Sequence, residues 1–196
     1  FIGFNNERFF NQFKFDIRLK GPQNGYRLLT AAFLHVSWAH LFFNMFTLYL
    51  FGYAVVQSLG TSAFLMLYFG SLFLGNLFAA YFHRNDSYYA AVGASGGVAG
   101  VVFSTILLYP ALELYLFFIP IPIPGYLFAA AYVAYSLYGM KKQQDNIGHT
   151  AHLGGAIWGI VLPLIYAPEL LMEAKQTLLY IVFTAAGVGF WLFRQR

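Results

Sequence analysis

The chain has no cysteine, and its charges are scarce: 11 Lys and Arg and 7 Asp and Glu among 196 residues, or 9%. Without thiols there is no disulfide framework, no thiol catalysis and no thiolate metal site. Soluble domains carry about 25% charged residues, so a water-facing shell cannot be built from this composition. The same arithmetic excludes disorder, and no collagen or coiled-coil repeat is present. What fills the chain instead is apolar: 60% hydrophobic and 21% aromatic residues, with a mean hydropathy of +0.62. The net charge of +4 is no nucleic-acid footprint, because the charges lie in loops and at the two ends rather than along one face. This is the composition of a polytopic membrane protein.

The charge-free intervals lay out the spans. Between Arg27 and Arg84 there are 56 residues without Asp, Glu, Lys or Arg. A helix crossing the hydrocarbon needs about 20 residues, so this interval holds two spans and a turn. The turn is the polar cluster Gln57-Ser58-Leu59-Gly60-Thr61-Ser62, which predicts helices near 38–57 and 62–82. Further uncharged stretches predict helices near 92–109, 124–140, 150–167 and 177–193. Backbone polar groups in lipid must be satisfied internally, and the polar/apolar alternation of a transmembrane barrel is absent. The fold class is therefore all-α, a bundle of membrane helices with no linker to a second domain and no internal repeat.

Two segments are not spans. Residues 5–37 mix Phe9, Phe10, Phe13 and Phe15 with Arg8, Lys14, Asp16 and Arg18, as in a loop lying in the membrane interface with rings dipped and charges out. Residues 110–125 carry Pro110 and then Pro120, Pro122 and Pro124 before Gly125, which makes an extended connector rather than a helix. Phe1-Ile2-Gly3-Phe4 reads as the tail of a further hydrophobic helix, so a preceding span is expected. The organisation is one membrane domain over 1–196: a truncated first helix and interfacial loop (1–37), core helices (38–167) and an extra C-terminal helix (168–196).

Polar groups at membrane depth are costly and mark function. Three clusters stand at helix starts: His40-Leu-Phe-Phe-Asn44, Gly93-Ala-Ser95-Gly96-Gly97, and Ala151-His152-Leu-Gly-Gly155-Ala-Ile-Trp-Gly159. One helix runs back across the membrane between each cluster and the next, so all three enter from the same face at similar depth. His40 and Asn44, four apart, share one side of their helix. Singly, each cluster has a bland reading: the glycines as helix packing, Ser95 bonded back to its own helix, His40 and Asn44 as an interhelical pair. Together they make a chemistry. A serine hydroxyl is a weak nucleophile until a base takes its proton, and His152 is the available base. Attack on an amide creates an oxyanion that needs preset donors, which the His40 imidazole and the Asn44 amide supply without formal charge. Gly93, Gly96, Gly155 and Gly159 let the helices carrying Ser95 and His152 come close.

Gly93-Ala-Ser95-Gly-Gly97 also fits G-x-S-x-G, the nucleophile elbow of α/β-hydrolases, and Asp145 lies between Ser95 and His152. An elbow follows a strand of a parallel sheet, and none is readable here. Asp145 belongs to a polar loop that faces water, so a Ser–His dyad is the better reading than a triad.

HxxxN on one helix, GxSG opening another and AHxxGxxxG on a third, in that order, resemble the rhomboid family of intramembrane serine proteases. Tyr26-Arg27, Leu34-His35 and His40 are similar to the family's first-loop region, and the likeness runs from about residue 26 to 167. The resemblance implies a six-helix core with its first helix largely missing, followed by an extra C-terminal helix. It implies Ser95 as nucleophile, His152 as general base and later acid, and an oxyanion hole of His40, Asn44 and the Ser95 backbone N–H. It also implies that the helix near 124–140 and the loop 141–150 gate and cap the site. The partners are then transmembrane protein substrates and the lipid bilayer, with no nucleic acid. Neither a cofactor nor a metal is called for.

This sequence departs from the family pattern at two places. Tyr26 stands for the usual Trp, and Ala99 stands where many members carry an aromatic that stacks on the catalytic histidine, so other contacts must hold His152. The family arrangement also opens the site outward and puts Arg8, Lys14, Arg18, Lys20, Arg27, Arg84, Lys141 and Lys142 outside, against the positive-inside rule. A missing flanking span would reconcile the two. Two rivals remain: a catalytically silent relative that binds transmembrane clients, and a metal or haem membrane protein using His35, His40, His149 and His152. The second lacks any intramembrane carboxylate or thiol ligand. His149 reads as an exposed cap-loop residue and His83 as interfacial. The compact size points to a bacterial plasma membrane, with an organelle as the other setting.

Overall fold

The computed structural model describes residues 2–19, 21–86, 88–116, 119–143 and 147–194. Two short helices, α1 (Ile2–Asn5) and α2 (Glu7–Phe13), lead into a two-residue strand β1 (Phe15–Asp16), a short helix α3 (Arg27–Thr30), and then α4 (Trp38–Phe82). After strand β2 (Ala90–Ala91) come α5 (Ser95–Leu108), the hairpin β3 (Glu113–Leu116) and β4 (Ile119–Pro124), α6 (Gly125–Lys142), α7 (His149–Tyr166), α8 (Leu170–Glu173) and α9 (Lys175–Arg194). A helix lies at each place where one was expected, α5 being shorter at 14 residues and the C-terminal helix longer than the sequence indicated.

α4 contains two spans. Its 45 residues are helical except at Gly60, where φ is 84° and ψ 164°. A side chain is disfavoured there, so a single glycine makes the reversal and the helix continues on both sides of it. The bend is narrower than the six-residue turn expected, and Ser58 Oγ sits 2.8 Å from Tyr109 Oη beyond the end of α5. Each half has about 22 residues, or about 33 Å at 1.5 Å per residue, enough for the hydrocarbon. Both α4 and Lys175–Leu192 are long and apolar enough to cross a membrane. Their outward side chains, including Phe42, Phe43, Tyr49, Phe183 and Trp191, are exposed, as lipid contact requires.

α5 lies at the centre, buried at every residue from Gly96 to Leu107, and packs against α4 and α7. Glycine makes this possible. A Cβ on Gly155 would strike the backbone of Gly96, and one on Gly159 that of Gly100. Two adjacent turns of α5 and α7 therefore touch backbone to backbone, as small-residue pairs allow between membrane helices. α6 is placed differently: it packs chiefly along α9 and touches α5 and α7 less. Tyr126 and Tyr180 rings meet at 4.9 Å, and the Lys141 ammonium donates to the Leu192 carbonyl near the end of α9.

Within the connector, Glu113–Leu116 and Ile119–Pro124 are extended, as expected, but they are paired rather than free. β3 and β4 run antiparallel with Glu113 opposite Pro124 and Leu114 opposite Ile123. Prolines at every second position leave the N–H groups of 119, 121 and 123 on one edge, so β4 pairs without needing the donors proline lacks.

Residues 5–37 also form more than an interfacial coil. Arg27 is buried and donates from one guanidinium nitrogen to the carbonyls of Asn11 and Lys14, both at 2.9 Å. Thr30 Oγ1 and Tyr26 Oη donate to Phe13 and Gln12 carbonyls. These are the open carbonyls at the end of α2, which any helix must satisfy. Asn76, in the second half of α4, donates to the Leu28 carbonyl at 2.7 Å. The loop is thus stitched to the bundle. Arg18 grips the buried Asp16 with two bonds of 2.9 and 2.6 Å, which holds the Asp16 carboxyl below the usual carboxylate range.

Candidate active site

Ser95 is the first residue of α5 and His152 stands in the first turn of α7. The glycine contacts that bring these helices together leave His152 Nε2 2.6 Å from Ser95 Oγ. That is the distance and the atom a general base needs. With the proton on Nδ1, Nε2 accepts from the serine hydroxyl.

The other two candidate residues come from the first half of α4. Ser37 caps that helix by accepting from the His40 N–H. The His40 ring lies against Gly93, two residues before Ser95: a Cβ there would come within 2.6 Å of Cε1 and 2.9 Å of Nε2. Gly93 also has φ of 122°, a backbone shape that L side chains avoid, and its N–H donates to the Ala31 carbonyl at 3.0 Å. Both constraints require glycine. Asn44 is buried and uses one amide N–H on the His40 carbonyl at 2.9 Å, which leaves its second N–H. The first N–H groups of α5, beginning at Ser95, have no acceptor within the helix and sit at its positive end. The His40 ring thus lies against the loop two residues before Ser95, with Asn44 bonded to the His40 carbonyl one turn further along α4.

The remaining histidines correct one expectation. His149 is not an exposed loop residue: it is the first residue of α7, buried over Gly139, with its ring 5.0 Å from Tyr135. His83, at the end of α4, is buried. It stacks on Tyr89 at 3.7 Å and 6°, and its Nε2 lies 2.9 Å from Thr150 Oγ1. It lines a cavity of about 110 Å³ with Asp86, Tyr89, His149 and Thr150. Burial, opposed by Asp86, holds the His83 pKa below the ordinary value. His35 is also buried, edge-on to His40 at 4.9 Å; burial first, and His40 second, hold it down to about 4. Asp145 lies outside the described residues. Among the described residues no cluster of three or more His, Asp or Glu is arranged to hold a metal ion.

Sequence reasoning passed over Asn76, Thr150 and Tyr132. Asn76 had a signal, a lone amide inside a charge-free run. Thr150 and Tyr132 had none, since a threonine and a tyrosine are ordinary residues in helices of this composition. The short strand β2 before Ser95 pairs antiparallel with β1, and among the described residues no parallel strand pair precedes the serine.

The fold is an all-α membrane helical bundle whose glycine-packed helices α5 and α7 seat a serine against a histidine. The sequence signature of the Rhomboid domain matches residues 22–169, and the chain belongs to the rhomboid family, generally made up of serine intramembrane proteases. It is 31% identical over 170 residues to RHOMBOID-like protein 12, mitochondrial, of Arabidopsis thaliana, covering 78% of this chain and 50% of that protein. It is 31% identical over 138 residues to Rhomboid protein 1, mitochondrial, of Saccharomyces cerevisiae, covering 68% and 40%. To the human Presenilin-associated rhomboid-like protein, mitochondrial, it is 29% identical over 161 residues, covering 79% and 41%. The chain thus spans half or less of the length of these relatives.

Proposed function

We propose that this protein is an intramembrane serine endopeptidase, which hydrolyses peptide bonds in or near transmembrane segments of other membrane proteins. The observation that carries the reading is the 2.6 Å approach of His152 Nε2 to Ser95 Oγ at the wall of a lipid-embedded bundle. As Oγ bonds to the substrate carbonyl carbon, its proton passes to Nε2 and the carbonyl electron pair moves onto oxygen. His40, Asn44 and the Ser95 backbone N–H stabilise that oxyanion. The tetrahedral species collapses as Nε2 returns the proton to the leaving amine, which leaves an acyl ester on Ser95. Water then adds by the same route, with His152 as base and again as acid, and Oγ regains its proton. A helical substrate must unwind at the cut, because its amides are shielded by their own hydrogen bonds. On this reading residues 1–196 form one membrane domain, with α6 as the gate.

The three relatives carry mitochondrial names. They lend the expected bacterial plasma membrane no support and favour an organelle membrane. The test of function is labelling by a serine-directed fluorophosphonate alongside cleavage of a transmembrane substrate. Wild type should label and cut, Ser95→Ala should do neither while melting normally, and Asn44→Ala should cut about 10²-fold more slowly. Folded wild type that never labels would move the assignment to a silent binder of transmembrane clients.

A further inference from the structure

An imidazole that must pass a proton twice per turnover needs a fixed ring plane, and the bond to Ser95 constrains only one of its atoms. Two rings face that of His152: His149, one turn back on its own helix, edge-on at 6.4 Å, and Tyr132, on the neighbouring α6, at 6.2 Å with the planes 31° apart, both inside the range at which aromatic pairs attract. Tyr132 is itself held. Phe103, almost fully buried two turns beyond Ser95 on α5, meets it edge-on at 5.4 Å, and Phe128 meets it at 6.1 Å. Position 99, one turn beyond Ser95, is alanine, so α5 offers no ring to His152 there. A chain of contacts therefore runs from the helix of the serine, through Phe103 and Tyr132, to the base.

We infer that Tyr132 is a positioning residue, whose ring sets the plane of the His152 imidazole, and that the orientation of the base depends on where α6 stands. The inference rests on the peptidase reading. Its second part follows from packing: α6 is fastened mainly to α9 through Tyr126, Tyr180 and Lys141. A displacement of α6 away from α5 carries Tyr132 off His152 while Ser95 stays in place on the central helix.

The test uses the full chain in detergent, with a small fluorophosphonate whose reaction needs Ser95 and His152 but no unwinding of a substrate helix. Tyr132→Leu should lower the limiting labelling rate roughly three- to tenfold, leave the half-saturating probe concentration unchanged, and lower kcat rather than raise KM for a transmembrane substrate. Tyr132→Phe, which keeps the ring, should restore most of the lost rate. Val133→Ala thins α6 next door without touching the ring, and should label like wild type at a lower melting temperature. If Tyr132→Leu does not fold, Tyr132→Met makes the same comparison. The inference is overturned if Tyr132→Leu labels like wild type, if Tyr132→Phe is equally slow, or if Val133→Ala matches the loss. Wild type that fails to label would overturn the peptidase reading itself, and this inference with it.

Discussion

Replacing Gly93 by alanine adds one methyl group at a point where two constraints meet. The first is the backbone: φ at Gly93 is 122°, in territory that costs a side-chain-bearing residue on the order of 1–3 kcal/mol. The second is space, since the new Cβ would fall 2.6 Å from His40 Cε1. Ordinary carbon contacts lie near 3.5–4.0 Å, so His40 must retreat by roughly 1 Å or the loop before Ser95 must move. Overpacking of this kind costs roughly 1–3 kcal/mol. The two limits give different readouts. If the ring holds its place, the strain appears as lost stability of roughly 2–6 kcal/mol in a thermal melt. If the ring swings away, only the backbone cost of roughly 1–3 kcal/mol remains and an oxyanion donor is lost, which slows kcat about 10²- to 10³-fold. Cleavage rate and melting temperature measured on one preparation distinguish the limits. A Gly93→Ala protein that cuts and melts like wild type would refute the placement of His40 against this loop, and with it the proposed oxyanion hole.

Other perturbations probe the packing and the buried ionisable groups. Gly155→Val should prevent folding outright, because its side chain would occupy the backbone of Gly96; the check is loss of a monodisperse, cooperatively melting species. His35 stays neutral in the fold to about pH 4, while the unfolded side chain takes up a proton near pH 6.5. Between those values the unfolded state binds more protons, so stability should fall as pH drops from about 6.5 to about 4 and then level off. His35→Phe should flatten that part of the melting profile. For Asp16 the lowered pKa acts in the same direction: its stabilising clasp with Arg18 is present above its ordinary pKa and lost as pH falls through the lowered one. Asp16→Asn should remove that acid-side loss.

The helices and the three polar clusters were legible because a bilayer penalises mistakes heavily. A run of 56 uncharged residues admits hardly any arrangement but two spans and a turn, and Ser95, His152, His40 and Asn44 would not sit at membrane depth without a use. Counting crossings placed them on one face. Where the reading went astray, at His149, the residue stands at a helix start. There composition does not say whether another helix packs over it, and α6 does, through Gly139 and Tyr135. The connector 110–125 showed its extended shape through its prolines but not its partner, because strand pairing depends on what else lies within reach.

Composition and spacing alone thus determined that the chain lies in a membrane, that its polar groups enter from one side, and which side chains have the chemistry for acyl transfer. Tertiary structure decided the quantities that depend on rotation and translation of whole helices. Gly96 against Gly155 fixes how near α5 comes to α7, and so the 2.6 Å between hydroxyl and imidazole. Gly93 fixes where the His40 ring rests, and Tyr132 reaches His152 only because α6 turns that face inward. A helix carries its periodicity in its own residues, but its angle about its axis is set by the neighbours it packs against, and those contacts join residues too distant in sequence for local pattern to encode.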